Sequence, residues 1–141
     1  MAAENICPNC GASNDPVFAS CLFCNTPLIK AELSTLSTET IIENCGLWIG
    51  RLSGADPEGV ELKKDQNNHV VQKISIEEVK GYVGQYMILL ETRAFSNPNL
   101  EGVLHRINDR YGEASKNFQK NTKNYWLIMI SCAIFIVGAS I

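Results

Sequence analysis

Three observations predict a chain assembled from unlike parts: a small cysteine-held unit, then a mainly α-helical region, then a C-terminal transmembrane helix. Four cysteines stand as two Cys-x-x-Cys pairs within the opening 30 residues, apolar residues recur at helical spacing through the middle, and residues 125 to 141 carry no charge. A length of 141 residues suits one ordinary domain. Setting the two specialised ends aside leaves roughly 90 residues, enough for a modest core that partners often help to complete. Self-association through the helices is therefore expected to be open to this chain.

The opening unit, residues 1 to 30, is rich in Asn, Ser, Pro and Gly, and its main apolar residues are Val17, Phe18, Leu22, Phe23, Leu28 and Ile29. It cannot fold on hydrophobic burial alone. Cys7-Pro8-Asn9-Cys10-Gly11 and Cys21-Leu22-Phe23-Cys24-Asn25 form two knuckles with ten residues between them. Each puts two thiolates at the tip of a tight turn, and Gly11 and Asn25 stand where a positive φ is tolerated. Two knuckles face to face offer four sulfurs in a tetrahedron at the distance zinc prefers. The expected metal ligands are therefore Cys7, Cys10, Cys21 and Cys24, holding one structural Zn²⁺ per chain.

The stretch from Cys7 to Leu28 resembles the short zinc-ribbon family. The resemblance is carried by Cys7-Pro8-Asn9-Cys10-Gly11-Ala12 and by Cys21-Leu22-Phe23-Cys24-Asn25-Thr26-Pro27-Leu28. The chain departs from the pattern at Asn25, where glycine is usual, and at Ser20, where an aromatic residue commonly precedes the third ligand. What the resemblance implies is a fold and a metal, over about 25 residues, with function left open. The fold class expected for the whole chain is thus a small four-cysteine zinc ribbon, a mainly α-helical region and a C-terminal transmembrane helix.

Other uses of the six cysteines fit less well. A secreted disulfide framework expects a signal peptide, and Met1-Ala2-Ala3-Glu4-Asn5 has neither the positive charge nor the apolar run of one. Cys45 falls in a helical pattern and Cys132 in the apolar tail, which also suits reduced thiols. A dithiol redox centre needs one Cys-x-x-Cys and usually a thioredoxin-like sheet. A rubredoxin-like iron site has a longer separation and more aromatic residues. Catalytic zinc needs an open coordination position, which four cysteines close.

Nucleic-acid binding by the ribbon is not expected. Phosphate recognition relies on Lys and Arg, whereas residues 1 to 29 contain Glu4 and Asp15 and no cation, and the formal net charge of the chain is -3.

In the middle, residues 31 to 97, the Ser/Thr/Glu run at 34 to 40 supplies N-caps for an apolar pattern at Ile41, Cys45, Trp48 and Leu52, which predicts a helix over 38 to 53. Gly46, Gly50 and Gly54 on another face would let a second backbone approach. A polar loop or short hairpin is expected near 54 to 74, pairing Val60-Glu61-Leu62 with His69-Val70-Val71. Ser75 and Glu78 have capping-box spacing, and Val79, Val83, Tyr86 and Leu90 share a face, giving a second helix over 76 to 94. Asn97-Pro98 begins a third, amphipathic over 98 to 123 with Leu104, Ile107, Tyr111, Ala114 and Phe118 on one stripe. Trp48, Tyr82, Tyr86 and Tyr111 are read as core, and His69 and His105 as solvated. No catalytic constellation emerges, so the chain is not expected to be an enzyme.

Residues 124 to 141 are read as the membrane anchor. Seventeen apolar residues span roughly 25 Å, the short end of a bilayer core. Tyr125 and Trp126 suit the interface, and Lys116, Lys120 and Lys123 suit the cytoplasmic face. The resulting expectation is a single-pass, tail-anchored membrane protein with residues 1 to 123 cytoplasmic. Its function would be that of a non-enzymatic interaction or assembly module with protein partners. The alternatives are an accessory subunit of a larger membrane complex or, less well supported, a membrane thiol-redox protein.

Overall fold

The computed structural model describes residues 5–28, 33–64 and 70–138, with the side chains of 63, 64, 70, 71 and 133–138 outside that description. His69 and residues 139–141 therefore lie outside the described residues.

The chain opens with two short strands, β1 (Asn5–Ile6) and β2 (Ser13–Asn14), paired antiparallel. Helix α1 spans Thr38–Ser53 and begins where the Ser37 side chain accepts a hydrogen bond from the Thr40 amide. Its buried residues, Thr40, Ile41, Asn44, Cys45, Trp48, Ile49 and Leu52, form one stripe at helical spacing. Strands β3 (Val60–Lys64) and β4 (Val70–Ile74) pair antiparallel with a register irregularity, a longer hairpin than the sequence suggests. Gly59 enters this hairpin at φ 124°, and a Cβ there would run into the Ile74 carbonyl oxygen, so the position needs glycine twice over.

Helix α2 (Ile76–Ser96) starts on the full capping box: the Ser75 side chain accepts from the Glu78 amide, and the Glu78 carboxylate accepts from the Ser75 amide and hydroxyl. Those bonds hold the Glu78 carboxyl below its ordinary range, the Ser75 amide contributing most. A turn at Pro98–Leu100 leads into α3 (Glu101–Gly138), a helix of 38 residues. It lies across α1 where small residues thin that helix. The Arg110 guanidinium sits 3.5 Å from where a Cβ of Gly46 would be, and Ile107 and Ala114 are buried. Farther along, Asn117 and Asn121 donate to the Ser53 side chain and carbonyl, and the Tyr125 hydroxyl donates to Glu58. Arg93 of α2 ties down the segment before α1 by donating to Thr38 and to the carbonyls of Ser34 and Leu36.

The membrane anchor is corrected by the structure: among the described residues no helix is long and apolar enough to cross a membrane. The third helix does run on without a break, but its apolar part begins only at Tyr125. From there to Gly138 are fourteen residues, roughly 21 Å against a bilayer core of about 30 Å. The turn before it, Asn121-Thr122-Lys123-Asn124, is wholly polar, and Tyr125, expected at a lipid interface, is instead bonded to Glu58. The transmembrane part of the expected fold class falls with this finding. The single-pass membrane localisation with a cytoplasmic N-terminal region falls with it.

Candidate metal centre

Both cysteine knuckles use the same local construction. In the first, the Gly11 amide donates to the Cys7 carbonyl and the Cys7 amide to the Ala12 carbonyl, each at 2.9 Å. In the second, the Asn25 amide donates to the Cys21 carbonyl at 2.9 Å and the Cys21 amide to the Thr26 carbonyl at 2.8 Å. Reversal of the chain this tightly needs a left-handed residue after the second cysteine, and Gly11 and Asn25 take it up at φ 71° and 60°. The amide hydrogens thereby turn toward sulfur, as in the 3.4 Å approach of the Phe23 amide to Cys21 Sγ.

The two knuckles face one another, so that Cys7, Cys10, Cys21 and Cys24 bring all four sulfurs within 4.8 Å of each other. The Cys7–Cys24 and Cys10–Cys21 sulfurs lie 3.5 and 3.6 Å apart. A tetrahedron of sulfurs at about 2.3 Å from a central ion has edges of about 3.8 Å, whereas a disulfide requires about 2.05 Å. The arrangement thus suits a metal ion and not a pair of disulfides. Cys7 and Cys21 are buried, and Cys10 and Cys24 face solvent.

Cys24 and Cys10 are shifted in opposite directions. Bonds from the Thr26 hydroxyl and amide bring Cys24 down to about 6. The Ala12 amide favours the Cys10 thiolate, but loss of hydration and the three sulfurs around it push Cys10 up to about 12. Ionising all four at such close range calls for a central cation, and a coordinated thiol is deprotonated outright. Asn14, a residue the sequence did not single out, supports this shell. Its buried amide donates to the Ala12 carbonyl at 2.9 Å and to Cys21 Sγ at 3.6 Å, while its oxygen accepts from the Leu22 amide at 2.9 Å.

Asp15 was visible in the sequence only as a negative charge, and it is the joint between the cysteine unit and the helices. One carboxylate oxygen accepts from the Tyr86 hydroxyl at 2.6 Å and the Val17 amide at 3.0 Å, and the other accepts from Trp48 Nε1 at 3.0 Å. Asn44 completes the group by donating to the Tyr86 oxygen at 3.2 Å. Burial, reinforced by the bond to Asp15, drives the Tyr86 hydroxyl well above its ordinary range. Beside these bonds, Phe18 meets Trp48 and Tyr82 edge to face with ring centroids 5.7 and 5.4 Å apart. Cys7, Val17, Phe18, Cys21 and Leu28 consequently belong to the same buried cluster as Ile41, Trp48, Val83 and Tyr86. No protein-family model matches the chain, and neither does any curated protein or solved structure.

The remaining candidates lie apart from the cluster. Cys45 is buried on α1, its thiol pushed up to about 11 by burial, a setting that makes a thiol inert. Cys132 is exposed on α3. His105 is exposed and lies 3.5 Å from Asp109 on its own helix.

Proposed function

We propose that this chain is a non-enzymatic interaction or assembly module whose ribbon is held by one structural zinc ion on Cys7, Cys10, Cys21 and Cys24. The observation that carries the reading is the closed set of four sulfurs, all within 4.8 Å of one another. An all-sulfur tetrahedral site favours zinc or iron, and the short knuckle spacing favours zinc. Four protein ligands leave no position for a substrate, which supports a structural and not a catalytic ion. The ribbon offers no phosphate-binding cation: residues 5–28 contain neither Lys nor Arg. Four thiolates around Zn²⁺ add further negative charge, so protein is the partner class that this surface favours.

Metal analysis of the purified chain tests the reading. One zinc per chain is expected, with an X-ray absorption spectrum of four sulfur neighbours at about 2.3 Å. Iron in their place, or a thiol pair that cycles reversibly with a donor while no metal is retained, would overturn it.

A further inference from the structure

A groove of about 280 Å³ runs between the ribbon and α1, lined by Asn14, Asp15, Phe18, Phe23, Leu47 and Arg51 among others. Two of its apolar lining residues face water. Phe23, at the tip of the second knuckle, is 51% exposed, and Leu47 on α1 is 49% exposed. Most apolar residues of these two elements point into the shared core, whereas about half the surface of each of these two reaches solvent.

The same lining holds a cation whose charge is incompletely answered. The Arg51 guanidinium stacks over the Trp48 ring at 4.5 Å from its centroid, an arrangement that fixes the planar group while leaving its edge free. Among the described residues nothing hydrogen-bonds or ion-pairs with that edge. The carboxylate that acts on its charge is Asp15, whose two oxygens are occupied by Tyr86, Val17 and Trp48. Burial works against the Arg51 charge, and Asp15 only partly offsets this. A half-buried guanidinium with a free fork, flanked by two exposed apolar side chains, is complementary to a carboxylate with a large apolar neighbour.

We propose that this groove docks a partner peptide in which an Asp or Glu carboxylate seats on Arg51 and an adjacent large apolar side chain lies between Leu47 and Phe23. The proposal rests on the reading of the chain as an interaction module and names the chemistry of what it binds. The groove exists only where ribbon and α1 meet, so the partner reads the assembled molecule and neither part alone.

The probe is a displayed library of random peptides selected on the full zinc-loaded chain, followed by anisotropy titration with a synthetic copy of the recovered sequence. The expected result is a consensus pairing an acidic residue with an aromatic or aliphatic one. Its affinity should fall at least about tenfold on Arg51→Glu, near 1.4 kcal/mol, and less on Arg51→Lys, which keeps the charge but loses the fork. Leu47→Asp, at an exposed site that the fold does not need, should weaken binding with the circular dichroism unchanged. No acidic and apolar consensus would overturn the proposal, and so would one indifferent to both Arg51→Glu and Leu47→Asp. A phosphoserine peptide that outcompetes its Asp and Glu forms would overturn the carboxylate assignment. Zinc content of the same preparation separates the two readings. Full zinc without a consensus removes the groove alone, whereas an Arg51-dependent consensus on a chain lacking zinc sustains the groove and removes the metal reading.

Discussion

The ribbon and the helical body are stabilised by opposite means. In the helices the apolar stripe of each faces the others, and Ile41, Trp48, Val83 and Tyr86 are wholly buried. The ribbon turns Val17, Phe18 and Leu28 outward into that same core, which leaves sulfur and hydrogen-bonded backbone at its own centre. One part is held by burial, the other is built around four clustered sulfurs, and the surface they share belongs to both. The difference teaches that the ribbon is not an appended module. It forms one wall of the core, and Asp15 closes the polar end of that wall.

The largest effect should come from removing the metal or a buried ligand. Chelation, or Cys21→Ser, is expected to unfold residues 5–28, because metal binding and folding are coupled in a unit with so little interior. Since the ribbon covers Trp48 and Tyr86, hydrogen exchange of α1 and α2 amides should quicken as well. A helical body whose exchange is unchanged after chelation would show that the two parts are independent. Lowering the pH should act in the same direction, since ligand sulfurs must be deprotonated to hold the ion.

Next in size is Asp15→Ala, which strips the acceptor from Trp48 Nε1 and the Tyr86 hydroxyl at once. A buried donor left without a partner costs about 1–3 kcal/mol, so a loss of roughly 2–4 kcal/mol by urea denaturation is expected, with metal stoichiometry unaltered. If Asp15→Ala lowered the metal content, Asp15 would belong to the metal site and not to the joint. Tyr86→Phe removes both the Asp15 and Asn44 partners on one side and should cost about 1–2 kcal/mol.

These interactions mark the boundary of what sequence alone discloses. The clustering of the four cysteines was legible because each knuckle is a local object of five residues. The positive φ at Gly11 and Asn25 follows from the same turn chemistry. Helices α1 and α2 were legible because a 3.6-residue apolar period and an N-cap lie within one element. Asp15 was not, for its partners are 33 and 71 residues away and nothing local distinguishes it from a solvated turn residue. Its bond to the Val17 amide is ordinary Asx-turn chemistry; only the tertiary fold brings indole and phenol to the carboxylate. The end of α3 misled for a related reason. Hydropathy counted the apolar run from Tyr125 onward, while the position of Tyr125 against Glu58 is set by the packing of α3 on α1.

A smaller effect is expected at the start of α2. Ser75→Ala removes the N-cap and should cost about 1 kcal/mol. The Glu78 carboxyl is held below its ordinary value near 4.5 by bonds from Ser75. A depressed folded pKa means that the charged form is favoured by folding. The contribution is therefore complete above that ordinary value and lost as the pH falls through the folded one. Comparing acid unfolding of the parent chain with Glu78→Gln, which removes the titrating group, should show this component missing from the variant, the two curves converging at low pH. Curves that stay parallel to the lowest pH would mean that Glu78 does not supply it.

The smallest effect on stability is expected at the far end of α3, which sharpens the contrast from the other side. Phe18 and Trp126 are both large and aromatic, yet Phe18 is 5% exposed and Trp126 is 56% exposed, as are Leu127 at 63% and Ile130 at 55%. An apolar side chain that gains no burial on folding contributes almost nothing to the folded state, whatever its hydropathy. Leu127→Lys and Ile130→Lys, both compatible with a helix, should thus change the stability measured in urea by no more than about 0.5 kcal/mol. Phe18→Ala should cost about 3–5 kcal/mol. Removing consecutive exposed apolar residues should also raise the concentration at which the chain stays dispersed in sedimentation runs. A large destabilisation by either lysine substitution would mean that Leu127 and Ile130 are covered in solution, and that α3 beyond Tyr125 belongs to a packed surface after all.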